Sequence, residues 1–127
     1  MRVAGIGFRA GASWQDIVAL ITLATKKVSL SPDDLCGLAT LDRKAAEAGF
    51  IEAADHLRLR AIAIEPEVLR GMADGVRTHS PRVQALYGVG SVAEASALAA
   101  AGPGARLLLT RIASERVTCA LAQGALS

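Results

Sequence analysis

Aromatic side chains are scarce in this chain of 127 residues: phenylalanine, tryptophan and tyrosine make up 3% of it, whereas hydrophobic residues make up 52%. A core with so few rings has to consist of alanine, valine, isoleucine and leucine, which suits the close packing of helices on a sheet. A chain of this length buries enough surface to fold without disulfides or metals. We therefore expect one domain that covers residues 1–127.

Charge of one sign, cysteine and long apolar runs are also limited. The net charge is only +2, and no strong basic patch with stacking aromatics is present, so we expect no binding to nucleic acid. Cys36 and Cys119 match no metal-ligand or redox spacing, which indicates reduced thiols without a metal site or cofactor. Neither a signal-peptide pattern nor a membrane-spanning apolar run occurs. The sequence predicts a soluble, cytoplasmic protein that does not bind membranes.

The most informative stretch is residues 88–94, in which Gly88 and Gly90 lead into Ser91 and Glu94. The spacing predicts a capping box, in which the Ser91 hydroxyl accepts from the backbone N–H of Glu94 and the Glu94 side chain reaches back. The two glycines let the backbone approach whatever lies over this helix N-terminus, where free N–H groups favour an anion. A well-capped helix that binds nothing is the alternative interpretation.

Strands and helices alternate along the rest of the chain. The apolar runs that predict strands are residues 2–7, 35–40, 61–64, 106–112 and 116–122. Helices are expected after Ser13, Lys44, Glu65 and Ser91, and residues 73–81 are the best candidate for a mobile flap. The last two strands predict an antiparallel hairpin. The fold class is therefore α/β: a three-layer, mainly parallel mixed sheet with helices on both faces and a C-terminal β-hairpin.

A ligand site is expected at one edge of this sheet, because open α/β sheets bind ligands outside the carboxyl ends of their strands. Three loops converge there in the predicted fold: residues 7–13, 40–44 and 88–91. They supply Arg9, Lys44, two capped helix N-termini and several hydroxyl groups. Such a set suits a ligand that carries carboxylates or phosphates.

Catalytic signals are weak. Asp42 and Lys44 lie two residues apart on a predicted loop, where they form either a general base with its partner or simply solvated and paired charges. His56 and His79 are expected at the surface. The sequence contains no Ser-His-Asp set, no metal-ligand cluster and no Walker loop. From residue chemistry alone, the chain is a small α/β domain with a crevice that favours anions.

Four stretches in register extend this interpretation: residues 5–13 (GIGFRAGAS), 39–45 (ATLDRKA), 88–95 (GVGSVAEA) and 117–120 (VTCA). Together they resemble the CobE/CbiG C-terminal family of cobalamin biosynthesis over nearly the whole chain. The first loop of that family usually carries a cysteine and two arginines. Phe8 stands here in place of the cysteine and Ala10 in place of the second arginine, so Arg9 is the match. Arg111 stands where a lysine is common, and Ser114 is kept.

The resemblance implies a stand-alone accessory protein of cobalamin (vitamin B12) biosynthesis that binds a corrinoid or precorrin intermediate, with other enzymes of the pathway as further partners. Corrin precursors are tetrapyrrole rings with many peripheral carboxylates, which fits the predicted crevice. The expected substrate-binding residues are Gly7, Arg9, Ser13, Thr40, Asp42, Lys44, Gly88, Gly90, Ser91, Glu94, Arg111 and Ser114.

Two other functions fit the same residues. Larger fused members of the family imply opening of a ring-A lactone on a cobalt-precorrin intermediate, and in that version Asp42 or Lys44 would handle protons. The glycine loops alone favour a phosphate- or nucleotide-binding domain. Turnover of a bound corrinoid separates the enzyme from the binding protein, and any response to a corrinoid separates both from the third function.

Overall fold

The computed structural model describes residues 1–125, which form a five-stranded sheet and six helices. The strands are β1 (Arg2–Phe8), β2 (Gly37–Leu41), β3 (Arg60–Ile64), β4 (Arg106–Ala113) and β5 (Val117–Gln123). The helices are α1 (Trp14–Lys27), α2 (Asp42–Ala45), α3 (Ala48–Leu57), α4 (Pro66–Arg70), α5 (Pro81–Tyr87) and α6 (Val92–Ala101). Two short 3₁₀ turns lie at Pro32–Asp34 and Ala73–Gly75.

The strand order in the sheet is β3-β2-β1-β5-β4. The pairs β1–β2 and β2–β3 are parallel, whereas β5 is antiparallel to both β1 and β4. β4 therefore runs in the same direction as β1, so four of the five strands share one direction. The predicted mainly parallel mixed sheet with a C-terminal β-hairpin is confirmed.

Helices α1 and α3 cover one face of the sheet. Phe50 of α3 and Ile17 and Ile21 of α1 are fully buried there, against Ile6 and Leu38 from the strands. Ser13 caps α1 as its position in the sequence predicts, because its hydroxyl accepts from the N–H of Asp16 at 3.1 Å. This face holds the larger of the apolar clusters, and it is built almost entirely from aliphatic side chains.

Helix α6 lies directly on the opposite face. A Cβ atom on Gly5 of β1 would collide with the carbonyl oxygen of Ala93 and would lie 2.6 Å from the backbone nitrogen of Ala97. The absence of a side chain at Gly5 therefore lets the helix backbone touch the strand. Six consecutive residues of α6, from Ala93 to Leu98, are buried. The alanine-rich helix thus packs on its own sheet.

Two local predictions need correction. Asp42 and Lys44 lie in the short helix α2, directly after β2, and not in a loop; no side chain caps this helix, so the sequence carries no signal for its start. Residues 73–81, the best candidate for a mobile flap, are not wholly irregular: they contain the 3₁₀ turn and a segment whose backbone N–H groups at Arg77 and Thr78 donate to the buried side chain of Glu94.

The beginning and the end of the described chain lie side by side. The backbone N–H of Gly124 donates to the carbonyl oxygen of Met1 at 2.8 Å, and Arg2 of β1 pairs with Gln123 of β5. Met1 and Gly124 therefore both lie at the amino end of β1. In residues 1–125, none of the helices has the length and apolar character needed to cross a membrane.

Candidate functional site

A cleft of about 700 Å³ opens at the carboxyl ends of β1 and β2. Its walls come from five places in the chain, which are parts of residues 7–10, 40–44, 80–87, 91–92 and 111–118. The hairpin turn contributes because β4 runs in the same direction as β1, which brings the turn between β4 and β5 to the same edge of the sheet. The cleft lies where ligands are expected in an α/β sheet, and its volume is typical of a small-molecule site.

The twelve residues predicted to bind substrate divide into two groups. Those that line the cleft are Gly7, Arg9, Thr40, Lys44, Ser91, Arg111 and Ser114. Those that the structure places outside its lining are Ser13, Asp42, Gly88, Gly90 and Glu94. The three predicted loops therefore do meet at one site, but only part of each loop faces it.

Contacts within the protein and backbone conformation account for the two glycines before α6. A Cβ atom on Gly90 would lie 2.5 Å from the carbonyl oxygen of Thr78 and 2.7 Å from Cα of His79. Gly88 has φ +78°, a conformation that favours glycine, and it packs against the side chain of Arg70. Residues 78 and 79 therefore make a close approach to the backbone at Gly90.

Positive charge dominates the lining of the cleft. Five cationic side chains contribute to it, and Glu115 is the one carboxylate among the lining residues within the described chain. The five cations are Arg9, Lys44, Arg82, Arg111 and Arg116. Arginine presents several donors in a planar fork that matches carboxylates and phosphates. The cleft therefore has the electrostatic character of a site for a polyanion.

Apolar side chains form the rest of the surface. Phe8 stacks on Phe50 of the core with a ring distance of 6.1 Å and an interplanar angle of 7°. The ammonium group of Lys44 lies 5.2 Å from the centre of the Phe8 ring. On the other wall, Leu86 of α5 is 60% exposed although it is a large apolar residue. The cleft thus combines cations with apolar contact area.

Hydrogen bonds between neighbouring strands fix the bottom of the cleft. The hydroxyl of Thr40 donates to the carbonyl oxygen of Ile6 at 2.7 Å, and the hydroxyl of Thr118 donates to that of Gly7 at 3.3 Å. A Cβ atom on Gly7 would lie 2.5 Å from the Thr118 hydroxyl oxygen, so a side chain there would displace this bond. Since both hydroxyls are already donors within the protein, each offers a ligand only its lone pairs.

The loop after β1 is also attached to the hairpin. The backbone N–H of Arg9 donates to the carbonyl oxygen of Arg116 at 3.1 Å, and the N–H of Ser114 donates to that of Val117 at 2.8 Å. The first bond joins the backbones of two residues whose cationic side chains both line the cleft. Arg116 was not predicted from the sequence, because a charged residue beside a predicted turn is ordinarily a solvated one.

The side chain of Glu94 has different partners from those that the capping box predicts. Its backbone N–H donates to the Ser91 hydroxyl at 3.1 Å, as the capping box requires. Its side chain does not return to Ser91, however, but accepts the backbone N–H groups of Arg77, Thr78 and Arg111 and the hydroxyl of Thr78. Only half of the predicted capping box is therefore formed.

The pKa of Glu94 reflects this environment. Burial by itself raises the pKa of the carboxyl, and it is the largest single influence. The hydrogen bonds from Thr78, Arg111 and Arg77 together outweigh it and hold the pKa below its ordinary value of 4.5. Glu94 is therefore a buried carboxylate that stays ionised at neutral pH.

The two catalytic candidates have modest surroundings. The carboxylate of Asp42 is exposed and accepts the backbone N–H of Arg43 at 2.7 Å. Lys44 forms an ion pair with Glu47, with 3.2 Å between Nζ and Oε2, while it borders the cleft. Each of these charges is therefore engaged by a neighbouring group of the protein itself.

The histidines and cysteines lie elsewhere. His56 stacks on Trp14 with a ring distance of 4.4 Å, and His79 is exposed. Cys36 is exposed, whereas burial in the sheet raises the pKa of the Cys119 thiol to about 12. Within residues 1–125, no three His, Cys, Asp or Glu side chains are grouped so that they would hold a metal ion.

Comparison with known proteins places this chain in a family. The model of the family described as "Cobalamin synthesis G C-terminus" matches residues 2–122. The protein CobE of a Sinorhizobium species is 32% identical over 120 residues, which cover 94% of this chain and 78% of that protein.

Solved structures agree with this assignment. A crystal structure of CobE, described as a protein from the cobalamin (vitamin B12) biosynthetic pathway, aligns with a TM-score of 0.91 and 32% identity; the alignment covers 96% of this chain and 92% of that one. The cobalamin biosynthesis protein chiG from Agrobacterium tumefaciens str. C58 aligns with a TM-score of 0.78 and 34% identity, over 99% and 100% of the two chains. This chain belongs to the CobE/CbiG C-terminal family of cobalamin biosynthesis proteins.

Proposed function

We propose that this protein binds a corrinoid or precorrin intermediate of cobalamin biosynthesis in the cleft at the carboxyl ends of β1 and β2. The observation that carries the proposal is the excess of five cationic side chains over one carboxylate around a partly apolar cleft. Family membership and the relatives named for the cobalamin pathway support the choice of ligand class.

Corrin precursors match this surface in two respects. Their peripheral carboxylates call for several cations spread around a rim, and the cleft carries such cations on all but one of its five segments. Their ring presents a broad apolar face, which can pack against Phe8, Leu86 and Tyr87. The phosphate groups of a nucleotide would make no use of this apolar surface. A ligand that carries both features gains from each part of the lining.

An accessory binding role fits the cleft better than catalysis of a lactone opening. Asp42 points its carboxylate at a backbone N–H of its own helix, and Lys44 is held by Glu47. An open cleft also lets a bound intermediate be passed to another enzyme of the pathway. The protein therefore acts, in this proposal, as a carrier or partner protein that keeps the intermediate chemically unchanged.

An absorbance titration with corrin-pathway intermediates, followed by mass analysis of the ligand, tests the proposal. Arg111→Ala removes a cation from the cleft, and Arg106→Ala removes one from the opposite end of the same strand β4 as a matched control. We expect the first variant to bind about tenfold more weakly and the second to bind like the parent protein.

Each result has a distinct meaning. Binding with an unchanged ligand mass supports a carrier. Binding with a changed mass makes the protein an enzyme and directs attention to Asp42 and Lys44. Absence of any response, or equal losses in both arginine variants, contradicts the proposed site, and the titration is then repeated with inorganic phosphate and a nucleotide.

A further inference from the structure

Glu94 connects the two walls of the cleft that come from distant parts of the chain. It lies near the start of α6, is fully buried and does not line the cleft. One carboxylate oxygen accepts the N–H groups of Arg77 at 2.6 Å and Thr78 at 3.0 Å. The other accepts the Thr78 hydroxyl and the N–H of Arg111 at 2.8 Å.

The partners of Glu94 belong to segments that carry cations of the cleft. Residues 77–80 lead into α5, which presents Arg82, and Arg111 itself belongs to β4. Residues 77–78 and 111 are 16 or 17 positions away from Glu94 in the sequence, in opposite directions. A single carboxylate thus fixes the start of one wall and the edge strand of the other.

The wall that contains α5 has few other attachments. None of the residues of α5 is buried. The N–H of Ser80 donates to the carbonyl oxygen of Gly90 at 3.0 Å, and the helix ends at Gly88 with φ +78°. At its far end Tyr87 packs partly against the core and its ring centre lies 5.2 Å from the Arg43 guanidinium, so the hydrogen bonds at the leading end are what attaches the start of α5.

We propose that Glu94 is a positioning residue, which holds the α5 wall and strand β4 in register so that Arg82 and Arg111 face one anionic ligand. This inference rests on the proposed function, because it assigns a part of that binding site. Glu94 touches no ligand in this view; it acts through the two backbone segments that it joins.

Electrostatics alone predict the opposite effect of removing the Glu94 charge. Its carboxylate lies behind a cleft with five cations, so a neutral residue at position 94 strengthens the field that attracts an anion. Loss of positioning weakens binding. The sign of the change in affinity of Glu94→Gln therefore separates a positioning role from a charge effect.

Glutamine is the sharpest replacement because it keeps the size of the side chain. Its amide oxygen still accepts two N–H groups, but its NH₂ group has to donate to the Thr78 hydroxyl oxygen instead of accepting from it, and no acceptor remains for the N–H of Arg111. Thr78→Val removes one hydroxyl bond at nearly constant shape, and Thr78→Ser retains it. Thr25→Val is the matched control, since Thr25 is a buried threonine on α1 whose hydroxyl donates to backbone carbonyl oxygens and not to Glu94.

Titration with a corrin-pathway intermediate that has free carboxylates gives the first readout. We expect Glu94→Gln and Thr78→Val to bind about tenfold more weakly, with Thr78→Ser and Thr25→Val close to the parent protein. In a background that already carries Arg82→Ala and Arg111→Ala, Glu94→Gln should cause no further loss. Equal or tighter binding by Glu94→Gln, or a full loss in the double-arginine background, overturns the proposal.

Amide hydrogen exchange of the ligand-free protein gives an independent readout. We expect residues 77–88 to exchange about tenfold faster in Thr78→Val and Glu94→Gln, with β1 and α1 unchanged. If exchange rises but the parent protein binds no intermediate, the proposed function fails while the attachment by Glu94 stands. If binding persists but exchange in residues 77–88 is unchanged, the positioning role fails alone. Thr78→Val decides the question if Glu94→Gln does not fold.

Discussion

The contact between Gly5 and α6 gives the most demanding test of the fold. Gly5→Ala would place a methyl carbon 2.6 Å from the backbone nitrogen and 2.8 Å from Cβ of Ala97, and against the carbonyl oxygen of Ala93. Carbon atoms in contact lie about 3.5–4.0 Å apart, so the helix has to move by about 1 Å. Forcing extra volume into a packed interior costs typically about 1–3 kcal/mol, and occasionally more.

The upper end of that range applies because the obstacle is backbone and not a flexible side chain. We therefore expect Gly5→Ala to lower the free energy of unfolding by about 3 kcal/mol. Gly11→Ala is the matched control: Gly11 has φ +84° and open space around it, so an alanine there meets only the backbone cost of about 1–2 kcal/mol. The pair separates a steric cost from a conformational one.

Urea denaturation of the three proteins measures these differences, and thermal unfolding should show a midpoint about 10 °C lower for Gly5→Ala. The reasoning is refuted if Gly11→Ala is destabilised as much as Gly5→Ala or more. A displaced α6 also moves Ser91 at the cleft, so affinity for an anionic ligand should fall in Gly5→Ala as well.

Three further predictions concern the pH dependence, the thiols and the core. The folded-state pKa of Glu94 lies below its ordinary value of 4.5, so its charge stabilises the fold above that pH, and this stabilisation is lost as the pH falls through the folded-state value. Denaturant titrations at a series of acidic pH values should therefore show a smaller change in the free energy of unfolding for Glu94→Gln than for the parent protein. A maleimide should label Cys36 in the native protein and spare the buried Cys119 until denaturant is added, which mass analysis reads as one adduct and then two. Phe50→Ala should cost about 3–5 kcal/mol in urea denaturation because this ring is fully buried, whereas Ile51→Ala on the exposed side of α3 should cost less than 1 kcal/mol.

The order of elements was predictable because their signals are local. Short apolar runs ending in glycine, a serine three residues before an acidic residue, and proline at the first turn of a helix each act within a few positions. Ser13 and Ser91 accept the backbone bonds that their positions predict. The start of α2 at Asp42 could not be predicted in this way, because no side chain caps it.

The side chain of Glu94 shows where local reasoning ends. Its capping partner in the sequence is three residues away, but four hydrogen bonds from segments 16 and 17 positions away occupy it instead. Tertiary contacts of this kind leave no periodic pattern in the sequence. The sequence likewise predicted that Gly90 leaves room for a ligand, because nothing in the sequence reveals that the backbone of Thr78 passes beside it.

The cleft was predicted in part. Arg9, Lys44 and Arg111 were expected and do line it, whereas Arg82 and Arg116 were not expected. The first three fall in segments that match family motifs or end strands. The other two enter the cleft because α5 and the hairpin turn fold over it, which depends on the topology of the whole sheet and not on their neighbours in sequence.

The bond between Met1 and Gly124 has a practical consequence. It holds both ends of the described chain at the amino end of β1, on the edge of the sheet away from the cleft. A linker or a surface attachment joined at either position would leave the cleft facing solution. The same geometry suits insertion of this unit into a loop of a larger protein, because the two ends of the described chain lie close together and could be joined to neighbouring residues of the host.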